Sequence, residues 1–220
     1  FQIDDTPEIR AGLLYSMTIA VGMHVVFLAF DTVIRRPLKL DAVERVNIIY
    51  SNAAALVIPL VQALLGSEYI VYSCAFVIVQ LILLWTISLP APIVSTLSSV
   101  GNMIGPMGML LAGMAIAEVP LKKVFCTLRN YLPVVLRLLV VPVIVLLLLR
   151  VVHAAGWISD GKAILMTVYL SAITPSCATV TSMAQLYNRD AAHSSALYVL
   201  STLLSIFTMP LMIGLFEVLI

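Results

Sequence analysis

Two apolar segments of this chain each contain a proline with polar side chains nearby. Asn52 precedes Pro59 in the first segment, and Thr174 and Ser176 flank Pro175 in the second. A proline inside a helix removes a backbone donor and disrupts the preceding turn. The helix that restarts after an interruption has free N–H groups and a partial positive charge at its N-terminus, which suits a carboxylate. The two interruptions therefore predict a neutral binding site for a small anion.

These polar residues also have simpler interpretations. A proline in a membrane helix can be a plain kink, and the hydroxyls of Thr174 and Ser176 can bond back to helix carbonyls. Asn52 can form a hydrogen bond between helices rather than contact a substrate. Two prolines at matching positions favour a binding site, because interrupted backbone is tolerated in a membrane only where protein or a watery cavity covers it.

Residues for catalysis or metal binding form no pattern in this sequence. No His or Lys lies near Ser176 in the chain, so we expect no enzyme, no catalytic residue and no cofactor. A net charge of +1 gives no electrostatic reason to expect a nucleic-acid partner. No metal site is expected, because the cysteines and histidines are scattered singly: Cys74, Cys126, Cys177, His24, His153 and His193.

The elements that carry these residues are predicted to be membrane-spanning helices. The chain of 220 residues is 62% hydrophobic and 10% charged, with a mean hydropathy of +1.11, and a soluble domain could not bury so much apolar surface. Solid apolar runs such as residues 134–149 favour helices over alternating barrel strands. We predict an all-α integral membrane protein in a lipid bilayer, with seven candidate spans: 11–34, 43–65, 68–88, 92–117, 131–152, 163–187 and 191–219.

The basic residues predict that a span is missing between Ser88 and Leu89. Cytoplasmic loops collect Lys and Arg, but seven uninterrupted spans divide these residues almost equally between the two sides. The competing explanation is a weak topology signal in a short chain. One additional span places Arg35, Arg36, Lys39, Arg45, Lys122, Lys123, Arg129 and Arg189 on one side, against Arg10, Arg150 and Lys162 on the other.

The order of features recurs in two three-helix units, which lie within residues 1–88 and 89–220: spans 11–34, 43–65 and 68–88, and spans 131–152, 163–187 and 191–219. Each contains a basic-flanked helix, then a span with a central proline, then a long apolar helix, and the basic flanks imply opposite orientations. The sequence therefore predicts an inverted repeat, with its two interrupted helices near a midplane binding site.

Three ionisable residues inside the spans have structural interpretations. Asp31 is expected to pair at the surface with Arg35 and Arg36, and His24 to pack as a neutral ring. Arg137 is placed within about five residues of the cytoplasmic boundary, so its long side chain can extend to the interface. No buried carboxylate is then positioned for proton coupling.

Three segments resemble the auxin efflux carrier family, whose bacterial members include malate and malonate permeases. They contain the patterns SN-x6-P, GN-x3-P-x-GM and TPS followed by STLLS-x3-MPL, within residues 44–72, 98–123 and 170–211. The resemblance implies ten helices in two inverted repeats of five, with the fourth and ninth broken at proline and crossing at the substrate site. The seven spans match the third to fifth and seventh to tenth helices, so the first, second and sixth are absent. Three of the four helices of the family's scaffold are therefore not in this sequence.

The resemblance implies a secondary transporter for a small organic anion such as malate, malonate or an auxin-like carboxylate, working by alternating access. A multi-pass protein of the plasma membrane that can form a homodimer is expected. Two alternatives remain: a non-transporting ligand-binding subunit or sensor on the same fold, and a sodium-coupled carrier similar to bile-acid symporters. The helices broken at Pro59 and Pro175 would cross at the site, and the expected substrate-binding residues are Asn52, Pro59, Asn102, Thr174, Pro175 and Ser176.

Overall fold

The computed structural model describes residues 6–88, 121–152, 156–158 and 160–220. Four helices in these ranges are long and apolar enough to cross a membrane, namely Pro7–Ile34, Ser67–Leu84, Leu128–Val151 and Ala191–Leu219. The expected all-α membrane architecture is confirmed. The described residues form α1 Pro7–Ile34, α2 Ala42–Ile49, α3 Ala53–Leu64, α4 Ile70–Ser88, α5 Leu121–Cys126, α6 Leu128–Val151, α7 Gly161–Ile173, α8 Thr179–Leu186 and α9 Ala191–Leu219, with a 3₁₀ turn at Ser67–Tyr69 and a π-helical stretch at Leu136–Val140 within α6.

The two spans expected to be interrupted are each divided into two helices. Span 43–65 consists of α2 and α3, and span 163–187 consists of α7 and α8. The second break contains Pro175, as predicted. The first break lies at residues 50–52 and not at Pro59, which is inside α3. The predicted position is wrong because a proline can cost one hydrogen bond and kink a helix without ending it. The predicted span 92–117 lies outside the described residues.

The basic loops that precede α2 and α6 lie at the same end of the molecule. The Arg129 guanidinium, at the start of α6, donates to the carbonyls of Leu38 at 3.0 Å and Lys39 at 2.7 Å. It also donates to both carboxylate oxygens of Glu44, at 2.7 and 2.8 Å. Glu44 in turn forms a capping box with Asp41 at the start of α2. We call this end of the molecule the basic end.

Other contacts show which further basic residues lie at the basic end and which lie at the opposite end. Arg189, which follows α8, lines a groove with Leu84 near the end of α4 and with Ala42 at the start of α2. At the opposite end, Lys162 lies 3.5 Å from Glu217. This arrangement agrees with the division of eight basic residues against three that charge counting predicts.

Aromatic side chains fill the centre of the bundle, while apolar side chains also cover its outer surface. Phe27 and Phe76 meet between α1 and α4, with ring centroids 6.4 Å apart, and Tyr169 of α7 stacks on Phe216 of α9 at 5.2 Å. On the outside, Phe207 is 77% exposed. Many large apolar side chains are exposed in this way, which is stable in lipid and not in water.

Candidate functional site

The two helix breaks meet and pair through their backbones. Ser51 and Ser176 form an isolated antiparallel bridge. The Asn52 N–H donates to the Pro175 carbonyl at 2.7 Å, and the Cys177 N–H donates to the Tyr50 carbonyl at 3.2 Å. Interrupted backbone inside a membrane must find partners within the protein, and each break supplies partners for the other. We call this contact the crossing; its two strands run in opposite directions.

Local sequence accounts for the second break better than for the first. Thr174 is extended, with φ −65° and ψ 153°, because the residue before a proline disfavours the helical conformation. Pro175 also lacks the N–H that would continue α7. Residues 50–52 contain no proline, yet Tyr50 is extended at φ −94° and ψ 125°. Tertiary contacts, rather than local propensity, hold the first break open.

Gln80 of α4 supplies part of that support. Its amide oxygen accepts from the Ser51 N–H at 3.0 Å and from the Ser51 hydroxyl at 2.8 Å. Its amide nitrogen donates to the Ser51 carbonyl at 2.7 Å. Both residues are buried, so this side chain satisfies backbone groups that a continuous helix would have satisfied itself.

Arg137 of α6 lies at the C-terminal ends of the two half-helices that lead into the crossing. Its side chain is fully buried. It donates to the carbonyls of Ile48 and Ile49 at the end of α2, at 3.0 and 3.1 Å. It also donates to the carbonyls of Ala172 and Thr174 at the end of α7, at 2.9 and 3.3 Å. One guanidinium therefore joins both interrupted helices.

The expectation that Arg137 extends to the membrane interface is wrong. The span begins at Leu128, so residue 137 lies about 14 Å along the helix from that end. The helix is π-helical over Leu136–Val140, where the Val141 N–H bonds to the carbonyl five residues earlier. Pro142 has no N–H to continue the regular ladder, and a π turn often occurs where function requires an irregular backbone. In this geometry the guanidinium is directed at the crossing and not at the interface.

Small polar side chains lie at the crossing between α2, α8 and α9. The Ser176 hydroxyl donates to the Asn47 carbonyl at 3.1 Å, and the Ser176 N–H donates to the Ser201 hydroxyl at 3.2 Å. The Asn47 amide nitrogen donates to the Ser194 hydroxyl at 3.2 Å, which is 3.3 Å from the Thr181 hydroxyl. The Asn47 amide oxygen is buried without a hydrogen-bond partner. A buried acceptor without a partner is unusual and suits a donor from water or a ligand.

Four of the predicted site residues lie at the crossing. Asn52 precedes the first residue of α3, makes no side-chain cap hydrogen bond and is 5% exposed. The Thr174 hydroxyl donates to the Ser171 carbonyl at 3.0 Å, and the Ser176 hydroxyl also donates to backbone. Pro175 contributes its carbonyl. The hydroxyls of Thr174 and Ser176 thus bond to carbonyls, as the simpler interpretation expects. The Asn52 amide does not cap α3.

The structure does not bring the two other predicted site residues to the crossing in the residues that it describes. Pro59 follows Asn52 by seven positions on α3, which corresponds to about 10 Å along the helix axis. Asn102 lies outside the described residues.

Sequence reasoning missed three residues that form the crossing. Arg137 is the clearest case, because a basic residue within an apolar span marks a functional site by default. Gln80 and Asn47 are single amides in apolar segments, which is the same signal that identified Asn52. What the sequence lacks is any indication that these side chains bind the backbone of distant helices.

Buried charges at the basic end are paired. Asp31 is 2.7 Å from Arg45 of α2, so the expected surface pairing with Arg35 and Arg36 is wrong, because the carboxylate faces α2. His24 lies among apolar neighbours, with its ring 4.5 Å from Phe76, and its expected packing is confirmed.

One group of described residues has the composition of a metal site. Ligand atoms of Asp41, Glu44 and His193 lie within 4.8 Å of one another. Both Glu44 oxygens already accept from Arg129, and Asp41 Oδ1 accepts from the Glu44 N–H in the capping box. These hydrogen bonds explain the cluster without a metal.

Apolar spanning helices with two interrupted helices that cross inside the bundle define a class of protein, the membrane carriers. A sequence model of the family described as membrane transport protein matches residues 87–213, more than half of the chain. The chain belongs to this family, which is the auxin efflux carrier family that its motifs resemble. The match includes α7 and α8, whereas α2 and α3 precede it. No curated protein and no solved structure matches the chain.

Proposed function

We propose that this protein is a secondary transporter that moves a small organic anion, such as malate, malonate or an auxin-like carboxylate, by alternating access around the crossing. The observation that carries this proposal is the backbone pairing of two interrupted helices at Ser51 and Ser176, in a chain of a transport family. Transporters place such interruptions at the substrate site near the bilayer midplane.

The charges around the crossing favour an anion. α3 and α8 both begin there, and neither has a side-chain cap at its N-terminus, so the partial positive charge of each helix end is not offset. The Arg137 guanidinium offsets the partial negative charges at the C-terminal ends of α2 and α7. The buried carboxylates of the described residues, Asp31 and Glu44, are paired with arginines at the basic end. The partial positive charges at the starts of α3 and α8 therefore favour an anion at the crossing.

Asn52 is the proposed principal contact. Its amide stands at the start of α3, where a carboxylate would also meet the first free N–H groups of that helix. Thr174, Pro175 and Ser176 shape the site, because their backbone forms the opposite side of the crossing. Asn102 and Pro59 stay predicted contacts, and Pro59 lies further along α3 than Asn52.

Binding of radiolabelled carboxylates to the purified full chain tests this assignment. Asn52→Ala removes one hydrogen bond to a charged ligand, so we expect a loss of roughly 1.5–3 kcal/mol, about 10- to 150-fold in Kd. Gln62→Ala is the matched control, because Gln62 is exposed on the same helix and should leave binding unchanged.

Two other outcomes have distinct meanings. If Asn52→Ala inserts normally and binds as the native protein does, the anion site lies elsewhere and Asn52 is a packing residue. If the native chain binds a carboxylate in proteoliposomes but produces no flux, the non-transporting ligand-binding subunit is the correct function.

The repeat and the assembly belong to the same proposal. Each unit has a long helix, an interrupted helix and a second long helix, α1 to α4 and α6 to α9, and the antiparallel bridge agrees with opposite orientations. We assign residues 1–88 and 89–220 to the two inverted units of a multi-pass plasma-membrane protein that can form a homodimer.

A further inference from the structure

Arg137 is an intramembrane charge without an ionic partner among the described residues. No carboxylate of that part of the chain lies within ion-pair distance of its guanidinium. The contacts that compensate for its burial are four carbonyl oxygens and the ring of Phe27, whose centroid is 5.6 Å away. A charge in such a position is costly and marks a function.

The four carbonyls belong to two helix ends, which explains how a lone cation is tolerated there. α2 ends at Ile49 and α7 ends at Ile173, and each C-terminus carries a partial charge of about −0.5. Together the two ends offset about one positive charge. Facing carbonyls from two half-helix C-termini are also the arrangement with which broken-helix transporters coordinate Na⁺.

We propose that the Arg137 guanidinium is a resident cation at the position where a coupling metal cation would bind. It occupies the carbonyls of Ile48, Ile49, Ala172 and Thr174, so Na⁺ has no free ligands at this point and the carrier needs no Na⁺ there. The conclusion about Na⁺ coupling rests on the proposed transport function. The occupation of the four carbonyls by Arg137 does not depend on any substrate.

Arg137 acts as a positioning residue and not as a substrate contact. Its side chain donates to carbonyls at the ends of α2 and α7, and these contacts are all to the backbone of the interrupted helices. By neutralising the negative helix ends, it leaves the positive ends of α3 and α8 to attract an anion. It also joins α2 to α7, so that both interrupted helices keep one relative position around the site.

Cation-dependent thermal stability of the purified full chain tests the occupancy without any substrate. The native protein should have the same melting temperature in NaCl, KCl and choline chloride at equal ionic strength. Arg137→Ala should melt lower, and its melting temperature should rise by several degrees, saturably, with Na⁺ or with methylguanidinium, but not with choline. Arg137→Lys retains a cation and should show no Na⁺ response. Arg150→Ala, an exposed position on the same helix, should behave as the native protein does.

Two results would overturn the inference. One is a saturable Na⁺-dependent stabilisation of the native protein, which can be measured even if Arg137→Ala does not fold. The other is an Arg137→Ala protein that folds and responds to no cation. None of these melting experiments contains an organic anion, so their results do not depend on whether the proposed carboxylate substrate is correct. Likewise, the carboxylate-binding experiment can be interpreted even if Arg137 proves not to occupy a cation position.

Discussion

Most buried polar side chains at the crossing bind interrupted backbone. Gln80 satisfies the N–H and the carbonyl of Ser51, Arg137 satisfies four carbonyls, and the hydroxyls of Thr174 and Ser176 each donate to a carbonyl. A helix break in a membrane exposes groups that water cannot satisfy. The conformation of the site is thus fixed by side chains that need not touch the substrate.

Replacing Gln80 tests most directly whether side chains from other helices hold the first break in its conformation. Gln80→Leu keeps the volume similar but leaves buried groups of Ser51 unpaired. Each such group costs about 1–3 kcal/mol, so we expect a loss of roughly 2–4 kcal/mol in the free energy of unfolding. Thermal unfolding in detergent measures it, with Gln62→Leu, an exposed position on α3, as the control. Equal melting temperatures for both variants would show that the first break needs no support from α4.

The chemistry of individual residues was predictable from sequence only in part. Asn52 and Pro175 were found because a polar group or a proline in an apolar span is conspicuous. The roles of Arg137 and Gln80 were not predicted, because their partners lie on helices distant in sequence: Arg137 is 89 positions from Ile48. Hydrogen bonds of that range depend on the fold and leave no local pattern.

At the scale of elements, the two prolines differ in what they do. Pro175 lies in a break that it helps to form, whereas Pro59 lies inside a helix that continues past it. The sequence pattern treats both alike, because it records only that a proline sits in the middle of an apolar span. The position of the first break is decided by its pairing with the second one and by Gln80, which no helix propensity encodes.

Replacing each proline by alanine should therefore have opposite effects on stability. A proline inside a helix costs up to about 3 kcal/mol relative to alanine, so Pro59→Ala should stabilise the protein, by less than that limit. Pro175→Ala should destabilise it by about 0.5–1 kcal/mol, because the unfolded chain gains freedom and the break loses its preset conformation. Melting temperatures of the two variants decide the matter. A stabilising Pro175→Ala would mean that the second break is imposed against local preference.

The link between α2 and α6 at the basic end gives a second test at this scale. The Glu44 side chain is 2% exposed, and each of its carboxylate oxygens accepts a hydrogen bond from the Arg129 guanidinium. Arg129→Met removes the cation from this buried carboxylate and leaves it the Asp41 N–H as a donor, so we expect a loss of about 1–3 kcal/mol.

The matched control for Arg129→Met is Arg36→Met, which removes an exposed arginine from the same end. The double variant Arg129→Met with Glu44→Leu should recover part of the lost stability, because it removes the unpaired charge. If the single variant melts like Arg36→Met, this ion pair does not hold α2 against α6.

At the scale of the whole molecule, composition and charge were the strongest predictors. Apolar runs identified the spans, and counting basic residues placed the loops near Arg35 and Arg129 at one end, where the contacts of Arg129 with Leu38 and Lys39 locate them. Hydropathy and the count of basic residues are both summed over many positions, so a misinterpreted single residue changes neither conclusion. The inverted repeat stays a prediction, which the order of helix types in residues 6–88 and 121–220 supports.

Orientation in the membrane follows from the same charges and can be tested with cysteine labelling. Cys126 is exposed at the basic end, and Ser67 is exposed in the turn at the other end. In a Cys74→Ser, Cys177→Ser background, Cys126 should react with an impermeant maleimide only from the cytoplasmic side, because basic loops are retained there. With Cys126→Ser added, Ser67→Cys should react only from the outside. Labelling of both positions from one face would contradict the placement of the turn between α3 and α4 at the end of the molecule opposite Cys126. Labelling with the two faces exchanged would leave the fold intact but reverse the protein, and the anion would then meet the Arg189 end of the bundle from outside the cell.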